Sequence, residues 1–482
     1  MVNLKTAIPM RWPSGPLEAA RRKNLTAEAQ GALQSWHQPA ALKLLHGSPV
    51  NCLIVTWAGG LRQDAEQQMT LLPLIAAGKE AGLSMVGWVD EKADKPAAIA
   101  AARSAGLDAV VMESCPTKVT GLPVVLAPPR DKVDWGPGAP FVAVSDNLWP
   151  GVAAIKAGAT GAPWLDSNGW FLQMARARTH FECPWLILDP PGDNTIVEPG
   201  RYLVTIADAG AFGARWAVSL DDHLRSGLAS GQQAATQAWQ KIAASVGFFE
   251  RQRAWRQYEP ITAVAVVSDF EAPNDFLSRE LLNLLTRRRL PFRVVEKRRL
   301  ADASFTVLQA IVSLDVQPLE KALQAKLLRF VADGGLLLAP RSWDPRPASA
   351  VDVTQPRFDV FRVGKGRLAI SREDSPDPYF LAADLHVLLS HNNDLFRLYN
   401  AGAQGCYYVA SHDGRSDLLH VINYSDTERE LMTVWFRKSY RTARLWTLGS
   451  SEPAALKLSP QKRGVEVYLP TLCDYAAVEL AA

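Results

Sequence analysis

The sequence is poor in the residues that hold metals or build disulfide frameworks. Its five cysteines, at positions 52, 115, 183, 406 and 473, are scattered, odd in number and never in CxxC spacing. This pattern argues against structural zinc and against a disulfide framework. The eight histidines form no HxH or HExxH pair, so the sequence predicts no catalytic metal, and no cofactor is expected.

Other absences exclude further classes of protein. No apolar run approaches the roughly 20 residues needed to span a bilayer, and the formal net charge is only +3 with the basic residues dispersed. Neither a membrane nor a nucleic-acid partner is therefore expected. No GxGxxG, GxxxxGK[ST] or GxSxG occurs, which removes the usual phosphate loops and the nucleophile elbow. The first five residues lack an apolar signal core; the chain as written is expected in the cytoplasm, and a trimmed signal peptide, with secretion or a periplasmic location, stays open.

What the sequence does have is a regular alternation of apolar runs and helical patterns. At 482 residues the chain is too long for one core, and two to four domains are expected. Continuous apolar runs separated by helices indicate a parallel sheet buried on both faces. Eight such runs fit a (β/α)8 TIM barrel over residues 1–258, with a doubly wound open sheet as the alternative. The predicted strands are residues 50–57, 84–90, 108–113, 123–127, 141–146, 159–165, 184–189 and 215–220.

Two further regions follow the barrel. Residues 259–394 predict a Rossmann-like α/β domain with a structural or oligomerisation role, in which "FVADGGLLLAP" places a helix stop directly before a buried strand. Residues 395–482 read as short alternating strands with a hairpin turn at Asp413-Gly414, which predicts a small antiparallel β-sandwich.

Carboxylates recur where the predicted barrel strands end. Loops after the strands build the active site of such a barrel, so these side chains are expected to gather at one face. Asp166 is the first candidate catalytic residue because Trp164 and Trp170 flank it, and apolar neighbours raise a carboxyl pKa; the alternative role is a helix cap. Glu113 and Asp189 complete the candidate catalytic set, although Asp189 precedes two prolines and turn chemistry would also explain it.

Indoles and polar side chains near the same strand ends are candidates for sugar binding. The 15 tryptophans are consistent with stacking on sugar faces, although core packing explains an indole equally well. Helix capping is the alternative for the polar members. The predicted substrate-binding residues are Trp57, Trp88, Asp90, Asp146, Asn147, Trp164, Asn168, Trp170, Asp221 and Asp222.

The order of the three regions, with "FVADGGLLLAP", "LLHVINYS" and "VEVYLPTLCDYAAVEL", resembles the family 42 glycoside hydrolases, which are β-galactosidases. The resemblance spans most of the chain and has low motif specificity. It implies a carbohydrate-active enzyme that forms a homo-oligomer through its middle domain. In that family the acid/base is a Glu after an Asn at the end of strand four, and the nucleophile is a Glu that ends strand seven. Here the predicted fourth strand ends without an Asn-Glu pair and the seventh ends in Asp189, so only Asp189 matches a catalytic position.

The sequence therefore predicts a glycoside hydrolase that acts on an oligo- or polysaccharide. Such an enzyme needs two carboxyl groups across the scissile bond, one protonated and one ionised. The alternative is a catalytically inactive protein on a glycosidase frame, which binds carbohydrate or serves as a scaffold.

Overall fold

The computed structural model describes residues 6–22, 24–115, 121–136, 140–146, 148–152, 165–189, 195–344, 346–347 and 351–482. The chain divides into two compact units. The first comprises Met1–Pro150, Thr179–Arg256 and Leu448–Ser451, and the second comprises Gly151–Arg178, Gln257–Thr447 and Glu452–Ala482. Residues 151–178, which the sequence assigned to the barrel, thus belong to the second unit. None of the described helices is both long and apolar enough to cross a membrane.

The helices and strands alternate through the first half of the chain, and strands dominate the end. The α-helices are α1 (Pro16–Arg21), α2 (Ala27–Trp36), α3 (Asp64–Glu80), α4 (Lys95–Ser104), α5 (Gly169–Arg178), α6 (Pro199–Ala211), α7 (Asp222–Ala229), α8 (Gln233–Arg251), α9 (Asp275–Arg287), α10 (Lys321–Ala332) and α11 (Pro378–Leu389). Short 3-10 helices occupy Pro39–Leu45, Arg130–Lys132, Arg253–Gln257, Lys297–Arg299 and His391–Asn393. The strands up to residue 268 are β1 (Pro9–Trp12), β2 (Cys52–Ala58), β3 (Ser84–Val89), β4 (Ala109–Met112), β5 (Val124–Leu126), β6 (Pro140–Asp146), β7 (Gly151–Val152), β8 (Leu165–Asp166), β9 (His180–Leu188), β10 (Arg215–Trp216), β11 (Glu259–Pro260) and β12 (Val264–Ser268). The later strands are β13 (Phe292–Glu296), β14 (Ala310–Val312), β15 (Leu336–Ala339), β16 (Val351–Thr354), β17 (Phe358–Val363), β18 (Gly366–Ser371), β19 (Phe396–Tyr399), β20 (Gln404–Ala410), β21 (Ser416–Asn423), β22 (Met432–Phe436), β23 (Thr442–Thr447), β24 (Ala454–Leu456), β25 (Leu458–Pro460), β26 (Val465–Leu469) and β27 (Tyr475–Ala481).

Two parallel sheets form the centre of the first unit. One has the order β1-β2-β3-β4-β5 and the other the order β10-β9-β6. Isolated parallel bridges connect their edges, one between Met10 and Val218 and one between Pro129 and Ser145. The first bridge carries two backbone hydrogen bonds, from Arg11 N to Val218 O at 2.8 Å and from Val218 N to Pro9 O at 3.0 Å. The prediction of an α/β chain with parallel strands is confirmed.

Alternate residues of these strands bury one apolar cluster. Successive side chains of a strand point to opposite faces, so the residues that share the cluster are spaced by two. Its members include Ile54, Val86, Trp88, Val111 and Ile187, each no more than 6% exposed. The intervening residues face the helices.

The set of strands differs from the predicted set at β1, β7 and β8. The strand β1 was not predicted, because its four residues stand in a Pro-rich stretch that interrupts any visible alternation. Residues 159–164 of the predicted sixth strand lie outside the described residues, and Leu165–Asp166 form β8. That strand pairs antiparallel with β7, with Val152 opposite Leu165. The prediction that this run ends among the parallel strands is therefore wrong.

The second unit contains one mixed sheet and two antiparallel sheets. The mixed sheet has the order β13-β12-β14-β15-β18-β17-β16, in which the first five strands are parallel and the last two antiparallel. The antiparallel sheets have the orders β11-β20-β21-β27-β23-β24 and β19-β22-β26-β25. Residues from both of them, such as Val421 and Val434, share one buried core. These are the kinds of sheet predicted for residues 259–394 and 395–482.

Candidate active site

A layer of polar side chains continues the inward-facing rows of the parallel strands. Each polar residue stands two positions after an apolar member of the cluster, so the two share a face of their strand. Thr56 follows Ile54 in this way, Asp90 follows Trp88, Glu113 follows Val111, and Asp189 follows Ile187. All of them lie at the carboxyl ends of their strands, where parallel sheets bind ligands.

Glu113 and Asp189 stand apart from the other acids. Neither side chain makes a hydrogen bond or an ion pair with any residue that the structure describes. Desolvation raises the pKa of Glu113, which is half-buried, and the negative charge of Glu91 adds to the rise while Lys132 opposes it. Desolvation also raises the pKa of Asp189, and Arg11 opposes that rise.

Asp90 is held by a chain of polar contacts. The indole Nε1 of Trp88 donates to Asp90 Oδ1 at 2.8 Å, and Arg21 forms an ion pair with Asp90 Oδ2. Arg21 also contacts Glu18 Oε1 at 3.2 Å, and Glu18 accepts a hydrogen bond from the Thr56 hydroxyl. Both carboxylates are thereby occupied, and their role is to fix the positions of their neighbours.

Arg11 brings a buried cation into this layer. Its side chain is 4% exposed, and its Cζ lies 4.6 Å from the ring centroid of Trp88. Burial lowers its pKa, whereas the charges of Glu18 and Asp189 oppose that change. Nε and Nη1 of Arg11 have no hydrogen-bond partner among the residues that the structure describes. Unpaired buried donors are costly, and neither atom is open to solvent.

The loop between β1 and α1 is fixed by Gln67 of α3. Gln67 Nε2 donates to Ser14 O and to Thr56 O, both at 2.8 Å, and its Oε1 accepts from Leu17 N at 3.0 Å. Gly15 has a φ of 86°, and a Cβ there would collide with Gln67 Oε1. This clamp sets where α1 begins, and so where α1 presents Glu18 and Arg21.

Two predicted sugar-binding acids have structural partners instead. Asp221 is the N-cap of α7 and accepts from Leu224 N at 2.9 Å; it also accepts from the Tyr202 hydroxyl and is 1% exposed. Asp222 forms an ion pair with Arg22. We therefore do not retain Asp221 and Asp222 as substrate-binding residues.

Asp146 is also engaged by its neighbours. It forms an ion pair with Arg130 at 2.5 Å, and its Oδ1 accepts from Leu148 N at 3.1 Å. Those contacts hold the segment after β6. Asn147, the next predicted residue, lies outside the described residues.

The two tryptophans predicted as stacking platforms are both buried. Trp57 is 1% exposed, and its Nε1 donates to Ala98 O of α4 at 2.9 Å. Because Thr56 faces inward, its neighbour Trp57 faces the helices, and its predicted sugar-stacking role is wrong. Trp88 is on the inward face but only 6% exposed, so it supports Asp90 and Arg11 from below.

Asp166, Asn168 and Trp170 belong to the second unit. Asp166 ends β8, and the backbone carbonyl of Asn168 accepts from Leu172 N at 2.9 Å at the start of α5. Asn168 is 1% exposed. The strand of Asp166 pairs antiparallel with β7, and the predicted catalytic role of Asp166 stays a prediction. Trp164 lies outside the described residues.

Comparisons with known proteins were made for sequence and for structure. No protein-family model matches the chain, and no curated protein matches it. Among solved structures, an α-L-fucosidase isoenzyme 2 from Paenibacillus thiaminolyticus has a TM-score of 0.62 at 10% identity, with 98% of this chain and 99% of that one covered. The two chains share their fold. The predicted resemblance to glycoside hydrolases is confirmed at the level of fold.

Two partial likenesses were also found. A β-galactosidase from Bacillus circulans sp. alkalophilus has a TM-score of 0.42 at 11% identity, with 88% of this chain and 68% of that one covered. A rhamnosidase from Novosphingobium sp. PP1Y has a TM-score of 0.43 at 13% identity, with 87% and 40% covered.

Proposed function

We propose that the chain is a glycoside hydrolase in which Glu113 and Asp189 are the catalytic carboxylates. One observation carries the proposal. Of the acids at the ends of the parallel strands, these two leave their side chains unpaired within the described part of the chain, whereas the others are held by arginine, lysine, indole or backbone groups. A carboxylate without a protein partner leaves its oxygen atoms open to the proton transfer or attack that glycoside hydrolysis needs.

The proposal includes a (β/α)8 barrel, for which the two bridges between the parallel sheets are the support. The pairings and the two bridges run from β1 through β2, β3, β4 and β5 to β6, β9 and β10, and then return to β1. In this order β4 is the fourth strand and β9 is the seventh. Glu113 comes directly after β4 and Asp189 directly after β9. These are the positions at which the family 42 enzymes, which the sequence resembles, carry their acid/base and their nucleophile. The chain departs from that pattern in having Met112 before the Glu and an Asp at the second position.

The electrostatics suit an assignment of roles. Desolvation raises the pKa of Glu113, which favours the protonated form that donates to the glycosidic oxygen as the leaving group departs. Desolvation also raises the pKa of Asp189, and the positive charge of Arg11 opposes that rise; because the ordinary pKa of an aspartate lies below that of a glutamate, we assign the ionised role to Asp189. In a retaining enzyme Asp189 attacks the anomeric carbon to form a glycosyl ester, and Glu113 then takes the proton of the water that hydrolyses this ester. In an inverting enzyme Asp189 instead takes the proton of the water that attacks the anomeric carbon directly.

The fold likeness over the full length directs the choice of substrate toward α-L-fucosides, and the sequence resemblance adds β-galactosides. The test is a panel of aryl glycosides headed by these two, measured on the parent, Glu113→Gln, Asp189→Asn and a control, Glu80→Gln. Glu80 is exposed at the end of α3 and is a matched loss of one carboxylate. We expect each active-site variant to lose about 10²–10⁴ in kcat, the usual share of acid–base catalysis, with the control unchanged.

Activity that survives either variant would refute the assignment of that residue. A parent that hydrolyses no glycoside, but whose melting temperature rises with added sugar, would leave the second candidate, a carbohydrate-binding protein without catalysis. The departure from the family 42 residues at both positions, with Met112 before Glu113 and an Asp at residue 189, is the observation that favours this second candidate.

A further inference from the structure

A group of two imidazoles and a carboxylate lies in the second unit and shares no residue with the candidate active site. His386 stands in the last turn of α11, His391 begins the 3-10 helix that follows, and Asp394 precedes β19. One nitrogen or oxygen atom from each of the three side chains lies within 4.8 Å of the other two. We propose that this group binds a divalent transition metal ion, with Zn²⁺ as the best match.

The local chain geometry brings the three side chains together. Ser390 ends α11 with a φ of 60° and its N–H donates to His386 O, which reverses the chain and returns His391 over His386. The two imidazole centroids are 4.9 Å apart. His391 Nδ1 lies 2.9 Å from Asp394 Oδ2.

One ligand atom of this group is buried and unpaired. His386 Nε2 is buried and has no hydrogen-bond partner among the described residues, and it lies 3.6 Å from Asp394 Oδ1, longer than a hydrogen bond. The three side chains also line a cavity of about 250 Å³, so coordination positions remain for water. Two ligands of one zinc ion lie at most about 4 Å apart. The small shift that closes the set is available to His391, whose side chain is 69% exposed.

The residues around the group orient the Asp394 carboxylate, and they also limit the affinity for a metal ion. Arg397 Nε donates to Asp394 Oδ2 at 2.6 Å, and such an outer hydrogen bond orients a metal-binding carboxylate. Arg288, Arg289 and Arg397 also line the cavity and oppose a cation. Because only three protein groups offer ligands, we expect weaker binding than at a four-ligand zinc site. Imidazole with carboxylate favours Zn²⁺ and Co²⁺ over Mg²⁺ and Ca²⁺, which prefer all-oxygen sets.

The test is a Co²⁺ titration of the untagged full chain after dialysis against a chelator, followed by the visible d–d absorption and by Zn²⁺ competition. We expect saturable uptake of about one equivalent, and His391→Ala and Asp394→Asn should each weaken binding at least about tenfold, the lower range for disturbing a metal site. The matched control is His412→Ala, because His412 is exposed and outside the group; it should bind as the parent does.

Absence of saturable uptake would overturn the proposal, and so would equal binding by His391→Ala and His412→Ala. If Asp394→Asn fails to fold because it loses the Arg397 contact, the His391→Ala comparison alone decides, since that side chain is exposed. Both results are independent of the glycosidase assignment, because Glu113→Gln and Asp189→Asn should bind Co²⁺ as the parent does.

Discussion

Replacement of Asp221 by alanine separates a structural acid from a catalytic one. Asp221 was predicted to bind substrate. In the structure its carboxylate caps α7 by accepting a hydrogen bond from Leu224 N at 2.9 Å, and it accepts a second hydrogen bond from the Tyr202 hydroxyl. We expect Asp221→Ala to lower the stability of the first unit, and to leave the KM of the remaining folded enzyme unchanged.

The expected loss follows from the two contacts. Removal of an N-cap side chain costs about 1 kcal/mol. The Tyr202 hydroxyl, in a residue that is 0% exposed, loses the acceptor for its proton, and an unsatisfied buried group costs about 1–3 kcal/mol. The sum is about 2–4 kcal/mol of unfolding free energy. Asp221→Asn should lose less, because asparagine caps a helix as well as aspartate does.

The assay is urea unfolding followed by tryptophan fluorescence. The rings of Trp149 and Trp216 lie 5.7 and 6.1 Å from that of Tyr202, so they report on this region. An alanine variant that loses less than about 0.5 kcal/mol, the lower bound for a cap alone, would refute the reasoning. A raised KM with unchanged stability would restore Asp221 to the substrate site.

Two further predictions concern the site itself. Activity should fall at high pH as Glu113 loses its proton, and at low pH as Asp189 gains one. Because both pKa values are raised in the folded state, that state binds more protons than the unfolded state, and stability falls as the pH rises through these pKa values. Asp189→Asn should therefore raise the melting temperature at neutral pH, and a lowered melting temperature would contradict this. Gly15→Ala should lower both stability and kcat, since a side chain is strained at φ 86° and collides with Gln67; a thermal melt and a kinetic assay together check it, and parent-like values in both would show that the clamp does not position α1.

The types of sheet could be predicted from the sequence, because they depend on the spacing of apolar residues along short segments. Parallel strands such as Cys52–Ala58 and Ala109–Met112 are buried along their whole length and so appear as continuous apolar runs. The strand Pro9–Trp12 carries Arg11 on its inward face and has proline on either side of its centre, so no periodicity marks it. Because β1 was left out of the prediction, the strand that Glu113 follows was counted as the third strand and not as the fourth.

The choice among the acids could not be made from the sequence, because it depends on partners that are distant in the chain. The segment that ends in Asp166 looks like a strand end by local pattern, yet its partner is Gly151–Val152. Asp90 and Asp189 follow similar apolar runs, but only Asp90 meets Arg21, across 69 residues. The outward direction of Trp57 could have been predicted from the sequence, because Trp57 follows Thr56 in one strand and successive side chains point to opposite faces.

The position of β1 has a consequence for how the first unit forms. Its neighbour on one side is β2, which is close in sequence: Ile8 N donates to the side chain of Asn51, 43 residues along the chain. Its contacts on the other side arrive late: Pro13 O accepts from Arg225 Nη1 at 3.0 Å across 212 residues. Loop-closure entropy must be overcome before such a contact is rewarded. During synthesis, the strand that carries Arg11 therefore waits with one edge unpaired until the segment after β10 has emerged, and refolding of this unit should be slow for its size.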